Sequence, residues 1–182
     1  EIYDERDPQK IQYAFEKLLY VPEKELKPQI IRELMIYLRI KLENNSYPLK
    51  IFIGKQGRLI TGIVVAQIDP DFRTYGRKCG TFGWLYSIDF KSCKTLMREC
   101  EIFMKSQKIR KLRGPINSPK LVGGIGFQIE GFDNFMMSGV NYTNPNMREL
   151  KFLNRMGYQK ESMYWCVKVT KENWKKGRKI PH

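Results

Sequence analysis

The sequence predicts an α/β fold, in which helices pack on a mixed sheet. Three segments rich in apolar and β-branched residues follow one another between residues 49 and 89. The apolar spacing then changes to that of a helix over residues ~91–107, and "IRKLRGP" follows as another strand. Because a strand, helix and strand in this order require a crossover, this strand is expected to run parallel to a neighbour. The crossover helix then covers one face of the sheet.

Two helices are predicted before the sheet. The first runs from Pro8 to Leu19, and Pro28 lies near the start of the second. Apolar residues at helical spacing mark their buried faces: Ile11, Phe15, Leu18 and Leu19 in the first, and Ile31, Leu34, Met35, Leu38 and Leu42 in the second. The stretch "ENNSYP" has the composition of a loop and ends the pair.

The three sequential strands predict an antiparallel meander. In "LKIFIGKQGRLITGIVVAQID" two apolar halves are joined by "GKQG", which is typical of a hairpin. The stretch "RKCGTFGWLYSID" (77–89) is the third strand, and the turn "PDFRTYG" separates it from the second.

The second half of the chain continues with helix, strand, helix and strand. In the crossover helix an apolar stripe is formed by Leu96, Met97, Cys100, Phe103 and Met104. The stretch "NPNMRELKFLNRMGY" predicts a short helix that ends at Gly157, with Met147, Leu150, Leu153 and Met156 facing inward. The final strand is "SMYWCVKV" (162–169). We therefore expect a single domain over residues 1–170 and a basic C-terminal tail over 171–182.

The charge balance is strongly basic, with a formal net charge of +14 at pH 7. Basic residues concentrate in "KIRKLR" (108–113) and "KENWKKGRK" (171–179). Such a surface would suit nucleic acid, an anionic membrane surface or a phosphate-rich ligand as a partner. The alternative is a lysine-rich surface that has no dedicated partner. No apolar run approaches the ~18 residues of a membrane span, so none is expected.

Cysteine and histidine narrow the chemistry. The four cysteines, Cys79, Cys93, Cys100 and Cys166, form no CxxC pair, which favours small buried hydrophobic residues over metal ligands and indicates a reducing, cytoplasmic compartment. The single histidine is His182, the last residue. A Ser-His-Asp triad, a Cys-His pair and a His-ligated zinc are therefore not expected in the folded body, and no metal site is predicted.

The order of elements, ending in "LNRMGYQKESMYWCVKV", resembles the GNAT acyltransferase superfamily. The chain is more closely similar to a group of largely uncharacterised GNAT-like proteins, through "GTFGWLYSID", "KLRGPIN", "GFQIEGFD" and an "NP" before the last helix. These marks occur in the same order here and extend over roughly residues 50–169. The resemblance implies helices on both faces of a mostly antiparallel sheet that is splayed between the strands at 79–88 and 109–114.

The resemblance also implies acetyl-CoA, or another acyl-CoA, as a cosubstrate that enters this split. Backbone groups of Leu85, Tyr86 and Ser87 would bind the pantetheine arm. The N-terminus of the next helix would face the pyrophosphate, because free amides and the helix dipole favour anions. The remaining binding candidates are Lys91 and Lys94 for charge, Ser92 for a capping hydroxyl, and Asn117 and Asn144 from the "GPIN" and "NP" marks.

The glycine-rich stretch "LRGPINSPKLVGGIGFQIEGFD" (112–133) supplies the catalytic candidates. Its glycines precede an extended segment rather than a helix, which excludes a dinucleotide-binding loop and favours a long excursion back over the sheet. Glu130 or Asp133 could accept a proton from an amine, and Tyr142 could protonate the leaving thiolate. The alternatives are a solvent-exposed carboxylate for Glu130 and a turn-capping one for Asp133.

Five apolar residues of the same region could line an acyl pocket or only roof the core; they are Phe127, Phe132, Phe135, Met136 and Met137.

The expected function is transfer of an acyl group, first of all acetyl, from coenzyme A to an unidentified amine, mainly by positioning both substrates. The chain departs from the superfamily in having no glycine between Asp89 and Leu96, where a pyrophosphate loop is usual, and Leu153 where a helix tyrosine is common. These departures keep two alternatives open. One is a GNAT-like protein that binds acyl-CoA or another ligand without catalysis, and the other is a basic protein associated with nucleic acid.

Overall fold

The computed structural model describes residues 1–44, 47–133, 140 and 142–165. The strands are β1 (Ile2–Asp4), β2 (Leu49–Gln56), β3 (Leu59–Gln67), β4 (Arg73–Thr74), β5 (Arg77–Lys78), β6 (Gly80–Ser87) and β7 (Leu112–Arg113). The helices are α1 (Pro8–Leu18), α2 (Lys27–Glu43), α3 (Phe90–Ser106) and α4 (Arg148–Arg155), with a 3₁₀ turn at Lys24–Leu26. No helix in these ranges is both long enough and apolar enough to cross a membrane.

The strands form the predicted mixed sheet, in the order β1-β2-β3-β6-β7. The β2, β3 and β6 strands are an antiparallel meander, and β7 pairs parallel to β6 through Gly80↔Leu112 and Thr81↔Arg113. The crossover through α3 accounts for this parallel pair, as the sequence indicates. The first strand was not predicted: β1 pairs with β2 through Ile2↔Gly54, and its three residues are too few to show a pattern.

Helices cover both faces of the sheet. On one face the core is built from α1 and α2 with side chains of β2, β3 and β6. On the other face α3 and α4 pack on the opposite side chains of the same strands. The predicted stripe of α3 is buried, and so are Cys79, Cys93 and Cys100, none of which forms a disulfide within the described residues. Cys166 lies outside the described residues.

Two sequence assignments in the meander need correction. The hairpin turns at Gly57 and Arg58 rather than over "GKQG"; Gly54 and Lys55 belong to β2, where the register with β3 shifts. Gly57 has φ 59°, so the turn requires the left-handed backbone that glycine adopts at little cost. The predicted strand 77–89 is divided into β5 and β6, and β5 pairs with β4 in a small hairpin of its own.

The last elements are shorter than predicted. The strand of "IRKLRGP" is confined to β7, and α4 buries Glu149 and Leu153, whereas Met147, Leu150 and Met156 are only partly buried. Gly157 follows α4 with φ 87°, which confirms its place at the helix end. In the predicted final strand, residues 162–165 have no regular secondary structure, and residues 166–169, like the basic tail, lie outside the described residues.

Candidate functional site

A β-bulge at Trp84 interrupts the pairing of β6 with β3. Ile63 of β3 pairs with Tyr86, but Val65 pairs with Gly83, so β6 carries one extra residue between these pairs. Trp84 takes up the difference with a left-handed backbone, φ 50°. The indole of Trp84 is buried, so packing holds this conformation in place.

The glycine-rich segment runs beside β6 only as far as this bulge. The Ile116 N–H donates to the Phe82 carbonyl (2.7 Å), which continues the pairing of β7. The Trp84 N–H donates to Asn117 Oδ1 (2.6 Å), and Trp84 Nε1 donates to the Ser118 carbonyl (2.7 Å). Asn117 therefore closes the sheet edge with its side chain, where a regular strand would use its backbone.

Glycines of β6 and of this segment allow close backbone packing. A Cβ at Gly83 would overlap the Ile116 carbonyl, and a Cβ at Gly123 would overlap the Asn117 carbonyl. The segment doubles back on itself, with Asn117 N–H donating to the Gly124 carbonyl (2.8 Å) and a bridge between Ile116 and Ile125. In place of the expected long excursion over the sheet, the chain forms a tight hairpin against the bulge of β6.

Beyond the bulge, the edge of β6 meets α4. The Ser87 N–H donates to Glu149 Oε1 (3.2 Å), and the same oxygen accepts hydrogen bonds from Arg148 Nε (3.3 Å) and Nη2 (3.2 Å). Glu149 is only 6% exposed, so its charge is held by these donors in a largely water-free position. The edge amide of Ser87 is thus bound by a side-chain oxygen and not by a strand.

The start of α3 lies directly after this edge. Asp89 caps the helix by accepting a hydrogen bond from the Ser92 N–H (2.7 Å), so the cap is Asp89 and not the predicted hydroxyl of Ser92. The side chains of Lys91 and Lys94 are exposed and form no ion pair with any residue the structure describes. One of the amides expected to face a pyrophosphate is therefore already bound by a carboxylate of the chain itself.

Cys93, in the first turn of α3, is buried next to the side chain of Ser87. Burial raises the pKa of its thiol to about 11, partly offset by the neighbouring Ser87 hydroxyl. That hydroxyl is buried and has no nitrogen or oxygen partner within the described residues. The thiol stays protonated at neutral pH, which agrees with the role of a small apolar residue and not of a nucleophile.

Two tyrosines join β6 to the segment before α4. The Tyr86 hydroxyl donates to the Tyr142 carbonyl (3.1 Å), and the Tyr142 hydroxyl donates to the Val122 carbonyl. The Tyr142 ring packs edge-on against Trp84, with ring centroids 4.8 Å apart. Burial raises the pKa of both hydroxyls, and the Glu149 charge adds to the effect on Tyr86. A hydroxyl has one proton to donate. The hydroxyl proton of Tyr142, the predicted acid, is donated to the Val122 carbonyl.

The predicted bases lie on the surface. Glu130 and Asp133 are both exposed, and neither carboxylate makes a hydrogen bond or an ion pair with β6. The loop that carries them is fastened by Gln128, whose N–H donates to Thr143 Oγ1 (3.0 Å) and whose amide donates to the carbonyl of Gly131 (2.7 Å). The structure therefore does not bring either carboxylate to the edge of β6.

The other predicted site residues contribute to a turn or to the core. Asn144 Oδ1 accepts from the Asn146 N–H (3.1 Å) in the turn before α4, which is the ordinary use of an Asn-Pro turn. Of the expected apolar lining, Phe127 packs on the α3 side of the core and Phe132 is partly buried. Phe135, Met136 and Met137 lie outside the described residues.

Glu149, the carboxylate that the structure does place on the edge of β6, is not among the residues predicted from the sequence. A signal was present, since Glu149, Leu153 and Met156 follow each other at helical spacing on one face of α4. The sequence favours Met147 and Leu150 for the inward stripe instead, because an acidic residue is rarely buried unless it is paired.

Comparison with known proteins gives little similarity. No protein-family model matches the chain, and no curated protein matches it. The crystal structure of a point mutant of TTHA1254 from Thermus thermophilus is similar over 75% of this chain and 79% of that chain, with 12% identity and a TM-score of 0.44. A similarity this low carries no argument about family or activity.

Proposed function

We propose that the chain is a GNAT-like N-acyltransferase that uses acetyl-CoA or another acyl-CoA to acylate an amine. The observation that carries the proposal is the hydrogen bond between the Ser87 N–H and Glu149. This amide lies at the edge of β6, is not used by another strand, and donates its hydrogen bond to an oxygen from outside the sheet. A pantetheine arm offers amide carbonyls of the kind that could replace this carboxylate.

The arrangement of β6 and α3 supports the same proposal. The bulge at Trp84 ends the pairing with the glycine-rich hairpin, so Leu85 to Ser87 follow as an edge without a neighbouring strand on that side. The α3 helix begins three residues after Ser87, at Phe90, with Lys91 and Lys94 exposed in its first turns. An extended ligand that ends in phosphates would have its polar arm along the edge and its charge near these lysines.

Asp89 and Glu149 oppose this fit in part. Both place a negative charge where the phosphates or the pantetheine would lie, and Asp89 already binds an amide of α3. Binding therefore requires Glu149 to leave the Ser87 N–H, and its charge lowers the affinity for an anion.

In the proposed reaction the amine nitrogen attacks the thioester carbonyl, the carbon–sulfur bond breaks, and the amine proton is transferred so that the thiol leaves. The rate enhancement would come mainly from holding the two substrates together. The roles first expected for Glu130, Asp133 and Tyr142 are not supported by contacts at the β6 edge, and we include none of them as a required group.

A second candidate is binding of acyl-CoA without turnover. It is favoured by Tyr142, whose hydroxyl proton is bound by Val122, and by the exposed positions of Glu130 and Asp133. Both candidates share the same ligand and differ in the chemistry.

Calorimetric titration with acetyl-CoA and longer acyl-CoAs at moderate salt tests the ligand, with ADP as the control for general attraction of phosphates to a basic protein. Binding of acyl-CoA that clearly exceeds binding of ADP supports the proposal. Release of free thiol in the presence of a panel of amines then separates transfer from binding alone. Equal binding of ADP and acyl-CoA, or no binding of either, rejects the coenzyme A site.

A further inference from the structure

The structure brings together two basic parts of the chain at one edge of the sheet. The hairpin of β4 and β5 leads directly into β6, and the "KIRKLR" stretch leads directly into β7. The β6 and β7 strands are parallel and pair from Gly80↔Leu112 onward. The two segments that precede these strands therefore lie at the same end of the sheet. The Gly80 N–H donates to the Lys111 carbonyl (2.9 Å), which fixes them side by side.

We call this surface the basic edge; it consists of Arg73, Arg77, Lys78, Lys108, Arg110 and Lys111, with Tyr75 among them. All of these basic residues are exposed except Lys111, which is partly buried as a whole residue. Lys111 is paired with Glu161 (2.6 Å), and Arg113 beside it is paired with the same carboxylate. The other members form no ion pair within the described ranges, so the basic edge retains most of its positive charge for a ligand.

Tyr75 is the unusual member of this surface. It stands at the tip of the β4–β5 hairpin and is 83% exposed, and the Lys111 ammonium lies 5.0 Å from the centre of its ring. Tyr75 and Gly76 have φ 49° and 73°, which is the backbone of a turn where Asn-Gly and Asp-Gly are preferred.

Stability does not account for a tyrosine at this position. A left-handed backbone costs a residue with a Cβ more free energy than a cation–π contact at an exposed position contributes. The contact with Lys111 therefore does not offset the backbone cost, and the ring covers no core. An exposed aromatic ring surrounded by cations has the chemistry of a platform on which an unpaired base stacks while the cations bind its phosphates.

We infer that the basic edge binds single-stranded nucleic acid, with a base stacked on Tyr75 and phosphates bound by Arg77, Lys78 and Arg110. A duplex suits this surface less well, because its bases are already stacked on each other and do not expose a face to Tyr75. The inference is independent of the proposed coenzyme A site, since none of its residues belongs to the open end of β6 or to the start of α3.

The test uses fluorescence anisotropy of labelled oligo(U), with the full chain, over a series of salt concentrations. Tyr75→Ala is expected to weaken binding by about fivefold or more, the loss that follows removal of one stacking platform. The matched control is Tyr13→Ala: Tyr13 is 46% exposed on α1 and also has a lysine, Lys17, over its ring at 5.2 Å, but it is not in the basic edge.

The contribution of charge is measured by a second matched pair. The double variant Arg77→Ala with Lys78→Ala is compared with Lys24→Ala with Arg32→Ala, which removes the same charge from the surface of the α1–α2 pair. For each phosphate that a variant no longer binds, the slope of log affinity against log salt is expected to fall by about 0.7. Only the first double variant should show this fall. Circular dichroism confirms that the variants fold, as expected for exposed side chains.

Several results would overturn the inference. Absence of oligo(U) binding at low salt rejects it, and so does equal loss in the two tyrosine variants or in the two charge variants, which would indicate only a general attraction to positive charge. Equal affinity for a duplex, with no effect of Tyr75→Ala, rejects the stacking platform. Binding to phosphatidylserine vesicles that depends on Arg77 and Lys78, without binding of oligo(U), would assign the basic edge to a membrane surface instead.

Discussion

The carboxylate of Glu149 in α4 is bound to the backbone N–H of Ser87 in β6, with a donor–acceptor distance of 3.2 Å. This contact joins the last described helix to the stretch of β6 beyond the bulge, where no strand pairs with β6 on that side. The acidic side chain lies where the proposed ligand would place a carbonyl oxygen. Its charge therefore acts against binding of an anion. Its hydrogen bond shows that the Ser87 N–H can donate to an oxygen that does not belong to a strand.

Replacing Glu149 by glutamine separates these two effects. The Glu149→Gln side chain keeps an acceptor oxygen but removes the charge, so we expect the affinity for acyl-CoA to rise by about fivefold, as for a partly screened charge near phosphates. Calorimetric titration of both proteins measures the change. Glu33→Gln on α2 removes an equal charge away from the site and serves as the control. An unchanged or reduced affinity in Glu149→Gln would argue against a ligand near Ser87.

Asn117 is expected to be a structural residue of the bulge. Asn117→Ala removes the acceptor of the Trp84 N–H and leaves a part-buried amide unpaired, which costs about 1–3 kcal/mol in the free energy of unfolding. Asn117→Asp keeps an acceptor oxygen and should cost less. Urea denaturation gives both values, with Asn154→Ala on the exposed face of α4 as the control. Equal stability of the Asn117→Ala and wild-type proteins would contradict this role.

Tyr142→Phe tests the predicted acid. The hydroxyl is bound to the Val122 carbonyl, and the ring packs on Trp84. We expect the variant to lose about 0.5–1.5 kcal/mol of stability, the net contribution of one hydrogen bond, and to retain acyl transfer where the wild type shows it. Thermal unfolding and thiol release are the two measurements. A large loss of turnover with unchanged acyl-CoA affinity would restore Tyr142 as the proton donor.

The double variant Glu130→Gln with Asp133→Asn tests the predicted bases. Both side chains are exposed and make no hydrogen bond or ion pair with β6, so we expect neither acyl-CoA affinity nor turnover to change. Thiol release across a range of pH is the suitable readout, because loss of a general base would remove the dependence on its ionisation. A strong fall in turnover that leaves affinity intact would show that one of these carboxylates reaches the reacting amine.

Stability at alkaline pH should depend on Cys93. Burial raises the pKa of its thiol from 9.0 to about 11, so between these values the unfolded chain loses a proton that the folded protein keeps. Stability is therefore fully present below pH 9 and falls as the pH rises toward 11, by about 1.4 kcal/mol per pH unit for this one thiol.

Urea denaturation of Cys93→Ala over the same pH range measures that contribution. The variant loses core packing at every pH, but its stability should fall less steeply than that of the wild type between pH 9 and 11. Parallel curves for the two proteins would mean that the thiol is not held in its protonated form by the fold.

The elements themselves are determined by the local sequence. The apolar spacing of α3 and the apolar, β-branched runs of β2 and β3 predict their type and nearly their bounds, because each pattern has to match its buried surroundings. The order of strand, helix and strand also predicts the parallel pair of β6 and β7, since a crossover connection returns the chain in the same direction. The capping residues Asp7 and Asp89 precede helices, as their side-chain chemistry favours.

Which side chains meet depends on how the elements pack against each other. Glu149 and Ser87 lie far apart in sequence, and their contact depends on how α4 packs against the end of β6. Tyr75 and Lys111 likewise become neighbours only through the parallel register of two strands. Neither contact leaves a periodic signal, because a single hydrogen bond or ring contact involves one residue from each element. Local patterns in the sequence are therefore enough to specify the layers and their order, whereas packing sets which residues surround the open edge of β6 and which form the basic edge at the start of that strand.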